Sequence, residues 1–156
     1  MPASLRPLTG EEISEFIEWQ VEQYVEERVR SGERPETARR IASEQSRALF
    51  PEGVPTDGQL LFRVLDDEGT AVGMLWIGPQ QPADQPGAFW VFYVRIEEAH
   101  RGKGYGRLAM ELAESEARSW GASELGLNVF GHNQVARHLY ESMGYTATSI
   151  RMKKNL

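Results

Sequence analysis

Three glycines separated by single larger residues lie in the segment 101–107, Arg-Gly-Lys-Gly-Tyr-Gly-Arg. The segment follows an apolar run typical of a strand and precedes residues spaced as in an amphipathic helix. Glycine accepts unusual backbone angles and lets a ligand approach the main chain closely. The first amides of a helix lack partners within the helix and lie at the positive end of its dipole. The segment therefore predicts an anion site, best suited to phosphate or pyrophosphate, at a helix start.

Positive charge is concentrated in the same turn, because Arg101, Lys103 and Arg107 belong to it although the formal net charge of the chain is -6. A glycine-rich turn with a basic, solvated edge is the plainer alternative. Two nucleotide-binding motifs fit poorly. The Walker A pattern is absent. A dinucleotide fold needs an acidic residue at the end of the next strand, whereas the predicted strand opens with Glu124 and closes at Phe130.

Composition excludes several classes of protein. The chain has 156 residues, no cysteine, no apolar run long enough to span a membrane and no apolar segment near its start. Disulfides, thiolate nucleophiles and cysteine zinc sites are therefore excluded, and we expect a cytoplasmic protein. The acidic net charge argues against a nucleic-acid partner and mildly favours a cationic one.

Hydrophobic periodicity and turn residues predict an α/β protein of one domain, residues 1–156, with a largely antiparallel first half and a strand–helix–strand crossover. A capping box of Thr9 and Glu12 predicts the start of the first helix. The predicted elements in chain order are a strand at 5–8, helices from Thr9 to about Arg30 and from Pro35 to about Leu49, strands at 60–65 and 71–77, a surface loop at 78–87, a strand at 88–96, a helix from Tyr105 to about Gly121, a strand at 124–130, a helix from Asn133 to Gly144 and a strand at 147–152.

A second motif lies in the predicted helix that begins at Asn133. Tyr140 is seven residues later, so the amide and the phenol lie on one face of the helix and can reach one ligand. Taken alone, Asn133 is equally a plain helix cap and Tyr140 a core tyrosine.

Together, the Arg-x-x-Gly-x-Gly loop of Arg101, Gly104 and Gly106 and the Asn-x-x-Ala-x-x-x-Tyr-Glu-x-x-Gly-Tyr segment from Asn133 resemble the GNAT superfamily of acyl-CoA N-acetyltransferases. The resemblance is strongest from Phe89 to Tyr145, and the N-terminal half matches in layout only. It implies a mixed, mostly antiparallel central sheet flanked by helices, with a V-shaped cofactor cleft. It also implies acetyl-CoA as co-substrate and no metal, and the spacing of the three histidines gives no metal motif.

The resemblance assigns roles to named residues. Backbone groups of Val94, Arg95 and Ile96 would bind the pantetheine arm, Asn133 would hydrogen-bond it, and Tyr140 would protonate the leaving thiolate. An amine would attack the thioester directly, which agrees with a chain lacking cysteine. The pyrophosphate would be held by Arg101 and by the amides of Gly102, Lys103, Gly104, Tyr105, Gly106 and Arg107.

This sequence differs from the family at the positions where relatives carry a general base. Trp90 and Phe92 stand at the central-strand positions where many relatives carry a base, and Asn128 stands where one branch carries Glu. Three explanations stay open: a carboxylate of the first helices, a water relay, or an amine that arrives neutral. The carboxylate candidates are Glu22, Glu26 and Glu27, while Glu97 and Glu98 are interpreted as loop residues.

The sequence thus supports an N-acetyltransferase acting on a small-molecule or peptide amine, with the acceptor over Trp90, Phe92 and the first two helices. The alternatives are a non-catalytic acyl-CoA-binding sensor or interaction module, and a nucleotide-phosphate protein that does not bind CoA. We expect no nucleic-acid or membrane partner. The apolar last strand, 147–152, suggests pairing across a homodimer.

Overall fold

A computed structural model describes residues 2–80 and 87–156. The chain divides into two compact units, one ending at Gly126 and the other beginning at Leu127, and each is described by itself. The elements in chain order are β1 (Ser4–Pro7), α1 (Gly10–Arg30), α2 (Pro35–Leu49), β2 (Leu60–Leu65), β3 (Ala71–Pro79), β4 (Ala88–Ile96), α3 (Tyr105–Ser119), β5 (Glu124–Leu127) and α4 (Gln134–Ser142).

The strands form one five-stranded sheet in the order β1-β2-β3-β4-β5, and β1 to β4 are paired antiparallel. β5 starts beside the start of β4, because the amides of Ser123 and Glu124 both donate to the carbonyl oxygen of Gly87. Trp90 then lies against Gly126, so β4 and β5 run in the same direction. This mixed, mostly antiparallel sheet with flanking helices confirms the predicted fold class.

Strand β4 contains one extra residue. Trp76 of β3 is paired with Tyr93, whereas the next residue, Ile77, is paired with Val91, so Phe92 has no partner in the register. Such a bulge turns two consecutive side chains toward one face of the sheet. Phe92 and Tyr93 accordingly pack on the same hydrophobic cluster.

The two faces of the sheet carry different helices. Met74 and Trp76 join Phe16 of α1 and Phe50 in one cluster on the first face. Side chains alternate along a strand, so the fully buried Leu75 and Ile77 lie on the other face. Helix α3 packs against β3 and β4 there. It contributes the buried side chains Tyr105, Ala109, Met110, Ala113 and Ala117.

Glu12 ties the start of α1 to the sheet. The predicted capping box is confirmed, since the Thr9 hydroxyl accepts from the Glu12 amide and the Glu12 carboxylate accepts from the Thr9 amide. The same carboxylate accepts hydrogen bonds from Arg6 of β1 and Arg63 of β2, at 3.0–3.1 Å. These bonds, chiefly that from Arg6, hold the pKa of Glu12 far below its ordinary value.

The second unit contains α4 and the C-terminal segment. Asn133 caps α4, because its side-chain oxygen accepts from the amide of Ala136 at 3.2 Å. The helix ends at Ser142 with Met143 as its C-cap, and Gly144 directly after the cap has a φ of 94°, the left-handed conformation expected of a glycine at this position. Ion pairing of Arg137 with Glu141 spans one helical turn.

Two predicted boundaries were wrong. β3 continues through Gly78 and Pro79 into the expected surface loop, because a proline at the last position of a strand gives up a hydrogen bond that the ladder does not require. The rest of that loop, 81–86, lies outside the described residues. β5 ends at Leu127 instead of Phe130, and Phe130 is exposed and stacks on His132.

The last strand, predicted at 147–152, is not formed, and Ile150 and Met152 are exposed. Alternating β-branched residues favour a strand only where another strand offers its ladder. The homodimer through this segment stays a prediction, in which a second copy would have to offer that ladder.

We predict that Glu12→Gln destabilises the protein by about 1–3 kcal/mol at pH 7, since it leaves two arginines without their carboxylate. The pKa of Glu12 is depressed in the folded state, so its contribution is complete above the ordinary glutamate pKa of about 4.3 and is lost as the pH falls further. Urea unfolding from pH 7 to pH 3 should show the two proteins converging at low pH. Glu18→Gln, an exposed change on the same helix, is the control; a gap that does not depend on pH contradicts the assignment.

Candidate functional site

The glycine loop has the conformation that its sequence predicts. Gly102 and Gly104 have φ angles of 73° and 91°, which other residues adopt only with strain. Gly104 is the N-cap of α3, and no side chain of residues 2–80 or 87–156 forms a capping hydrogen bond to this helix start. The first hydrogen bond of the helix runs from the Leu108 amide to the Gly104 carbonyl oxygen, so helix geometry leaves the amides of Tyr105 and Gly106 without partners inside α3. A Cβ atom added at Gly102 or Gly104 would have no atom of the described residues within 4 Å, apart from those of its chain neighbours.

Two positively charged side chains of the loop, Arg101 and Lys103, form hydrogen bonds to nearby backbone carbonyl oxygens. The Arg101 side chain donates to the carbonyl oxygen of Ile96 at 2.9 Å, and Lys103 donates to that of Ala99 at 3.0 Å. Both side chains are exposed, so their charge adds to the positive end of α3. The loop thus has an exposed main-chain floor with positive charge beside it, the arrangement that the predicted anion site requires.

The end of β4 adjoins this loop. β4 has nine residues, while β5 starts beside it and stops after four, so β5 does not follow β4 to Val94–Ile96. This half of β4 follows the Phe92 bulge, a feature that is over-represented next to active sites. The predicted pantetheine strand Val94, Arg95 and Ile96 and the predicted pyrophosphate loop therefore lie next to each other in the first unit.

A pocket of about 270 Å³ opens beside the same strand, between α1 and the sheet. Phe16, Trp19 and Tyr93 are its aromatic residues, with ring centroids 5.5–6.0 Å apart. Charged side chains of both signs complete it. Glu12 and Glu15 come from α1, Arg63 from β2, and Arg95 and Glu97 from β4 and the turn after it.

In the second unit, Asn133 is the N-cap of α4, and Tyr140 lies within the helix seven residues later, which corresponds to about two turns. Asn133 uses its oxygen for the cap, which leaves its amide NH₂ as a donor. Tyr140 is half-buried, packs edge-on against Tyr145 with a centroid distance of 5.9 Å, and has its pKa raised by burial. Its phenol is therefore protonated at neutral pH.

A family model described as "Acetyltransferase (GNAT) family" matches residues 13–145. The chain belongs to the GNAT acetyltransferase family. Members of this family are acyltransferases. Among the residues that the structure describes, no helix is long and apolar enough to cross a membrane.

Known relatives agree with this assignment over the full length. The chain is 35% identical to YycN of Bacillus subtilis over 100% of both proteins, and 34% identical to YdgE of the same organism over 100% of this chain and 99% of the relative. Both are named as uncharacterized N-acetyltransferases. The crystal structure of YycN has a TM-score of 0.83, covering 99% of each chain. The structure of AAC(6′)-Iy, in complex with the bisubstrate analogue CoA-S-monomethyl-acetylneamine, shares the fold at 11% identity, with a TM-score of 0.61 over 100% of this chain and 99% of that one.

The glutamates that line the pocket are not the ones that the sequence offered as candidate general bases. Glu22, a candidate base, is engaged by Arg39 at 2.7 Å, and this hydrogen bond lowers its pKa. Glu26 and Glu27 do not line the pocket, whereas Glu15 and Glu97 do. Glu15 was missed, although its spacing from Glu12, Phe16 and Trp19 marks one face of α1. Glu97, interpreted as a loop residue, follows β4 directly and reaches the pocket.

Trp90, at a position where many GNAT relatives carry a base, has a packing role here. A Cβ atom added to Gly126 would lie 2.6–2.7 Å from two atoms of the Trp90 ring. Glycine at position 126 therefore lets the Trp90 indole lie directly against the backbone of β5.

We predict that Gly126→Ala destabilises the protein by about 1–3 kcal/mol, because the ring has to move. Urea unfolding measures the change. In a Trp90→Phe background the ring atoms nearest to Gly126 are gone, so the same substitution should cost less. Equal costs in both backgrounds would show that the indole does not set the requirement for glycine.

Proposed function

We propose that this protein transfers an acetyl group from acetyl-CoA to the primary amine of a small molecule or peptide, as one GNAT domain over residues 1–156. The observation that carries the proposal is the open glycine loop at the uncapped start of α3, directly after a bulged strand. The absence of cysteine suits a cytoplasmic location, which is part of the proposal.

The residues present fit the pyrophosphate of CoA. The open space at Gly102 and Gly104 admits a phosphate against main-chain amides, and Arg101 and Lys103 supply charge without blocking it. We assign Val94, Arg95 and Ile96 to the pantetheine arm, since the second half of β4 extends beyond β5. Asn133 retains an amide donor for the same arm.

The chemistry is a direct transfer. The amine nitrogen bonds to the thioester carbon, the carbon–sulfur bond breaks, the amine loses one proton and the thiolate gains one. Tyr140 is assigned as the donor to the thiolate, because burial keeps its phenol protonated. Carboxylates that can accept the amine proton line the pocket beside β4, at Glu15 and Glu97. Bound acetyl-CoA supplies the activated acyl group.

The first prediction from this proposed function concerns the glycine loop. Gly104→Glu should abolish binding of acetyl-CoA, since a carboxylate would occupy the phosphate position. The measurement is thermal stabilisation by saturating acetyl-CoA, which rises with any ligand that binds only the folded state. A wild-type protein without such stabilisation would refute the proposed donor.

Gly121→Glu is the matched control, at the opposite end of α3. Gly121 also has a left-handed φ, 85°, and open space around its Cβ position. Both variants carry the same backbone strain of about 1–3 kcal/mol. Only Gly104→Glu should lose acetyl-CoA binding; loss in both would mean that strain is responsible.

The second prediction concerns Tyr140. Tyr140→Phe keeps the ring and removes the proton, so it should lower kcat about 10²- to 10⁴-fold while the Kd of acetyl-CoA changes little. Release of free CoA measures the rate, and Tyr145→Phe, in the neighbouring ring, is the control. Equal kcat values for Tyr140→Phe and wild type would remove Tyr140 from the mechanism.

An amine panel tests transfer itself. Small polyamines, aminoglycosides, amino acids and peptide N-termini should be compared by CoA release. Acetyl-CoA binding without transfer to any of them would favour the alternative of a non-catalytic acyl-CoA-binding module.

A further inference from the structure

We propose that the pocket between α1 and the sheet binds a free amino acid, whose α-amino group is the acetyl acceptor. The inference rests on the proposed function for its catalytic part, and on the pocket alone for binding. The bond changes are those of the transfer above, and since the amino acid starts as an ammonium ion, one proton is released to solvent overall.

Folding neutralises some of the pocket charges and leaves others. The Glu12 carboxylate is occupied by Arg6 and Arg63, so this group offers no charge to a ligand. Arg95 forms no ion pair with any residue that the structure describes. Within the described ranges, Glu15 and Glu97 likewise receive no side-chain hydrogen bond and form no ion pair.

The unpaired charges are of both signs. A ligand with ammonium groups alone would meet the Arg95 guanidinium, and one with carboxylates alone would meet Glu15 and Glu97. A ligand that carries one of each satisfies both sides, with its carboxylate on Arg95 and its ammonium on the glutamates. An ammonium group and a carboxylate attached to the same carbon atom are the defining feature of a free α-amino acid.

The walls and the size of the pocket indicate what the side chain is. Phe16 is buried, while Trp19 is 37% exposed and Tyr93 half-buried, so the rings present an apolar surface to the pocket. A volume of about 270 Å³ accommodates one large amino acid. An aromatic or aliphatic side chain on these rings is therefore favoured.

The pocket also adjoins the proposed donor. Tyr93 and Arg95 point into it from the strand that carries Val94 and Ile96. Register places Arg95 opposite Met74 and, one strand further, Arg63, so the three form a row across β4, β3 and β2. An acceptor held by Arg95 is thus adjacent to the strand assigned to the pantetheine arm.

The test uses three probes with one phenyl group: L-phenylalanine, with both charges, phenethylamine, with the ammonium only, and 3-phenylpropionate, with the carboxylate only. Calorimetry in the presence of CoA gives the affinities, and CoA release from acetyl-CoA gives kcat and KM. L-phenylalanine should bind at least about tenfold more tightly than phenethylamine or 3-phenylpropionate, and it should be acetylated.

Variants separate the two charges. Arg95→Gln should raise the KM of L-phenylalanine about 10- to 100-fold and leave that of phenethylamine unchanged. Glu15→Gln, Glu97→Gln and their combination should weaken both amines and leave 3-phenylpropionate no weaker. Arg118→Gln and Glu18→Gln, exposed changes outside the pocket, are the controls.

Three results would overturn the inference: tighter binding of phenethylamine than of L-phenylalanine, an equal effect of Arg95→Gln on both, or acetylation of polyamines but of no amino acid. The last result leaves the proposed function intact. If no amine is acetylated, the proposed function fails, and the calorimetric ranking of the three probes still decides what the pocket binds.

Discussion

The single extra residue in β4 determines what every later part of that strand can do. Val91 pairs with Ile77 and Tyr93 with Trp76, so the bulge at Phe92 shifts all following side chains by one position. A shift of one residue exchanges the faces of a strand. Without it, Tyr93 and Arg95 would point toward α3 and Val94 toward α1. The bulge thus provides both the apolar contact with α3 and the charged wall of the pocket.

Helix α1 is the other wall, and its position depends on Glu12. One carboxylate closes the helix cap and accepts from arginines of β1 and β2, which fixes the first turn of α1 over the sheet. Three and seven residues later, Glu15 and Trp19 then face β4. Farther along, α1 packs on α2 through Val25, Ala38 and Ala42, which fixes its second half. The pocket is therefore a consequence of how the helix is anchored at both ends.

The sequence was sufficient where function is carried by backbone and local spacing. Gly102 and Gly104 need left-handed angles, Thr9 and Glu12 form a capping box, and Asn133 caps α4, all of which follow from residue types at short range. The sequence was insufficient where the structure depends on how one strand pairs with another. The apolar run 88–96 predicted a strand buried on both faces, but the bulge within it depends on the register with β3. The segment 147–152 has the composition of a strand and forms none.

The pocket shows why net charge is a poor guide to a ligand. A formal charge of -6 suggested a cationic partner, yet Glu12 and Glu22 are held by arginines and contribute nothing that a ligand could use. What matters is which charges remain unpaired after folding, and where. Arg95 retains its charge at the pocket because the bulge turns it away from the core and, among the described residues, no carboxylate forms an ion pair with it. Pairing and register, which composition does not encode, therefore decide which charges the acceptor meets.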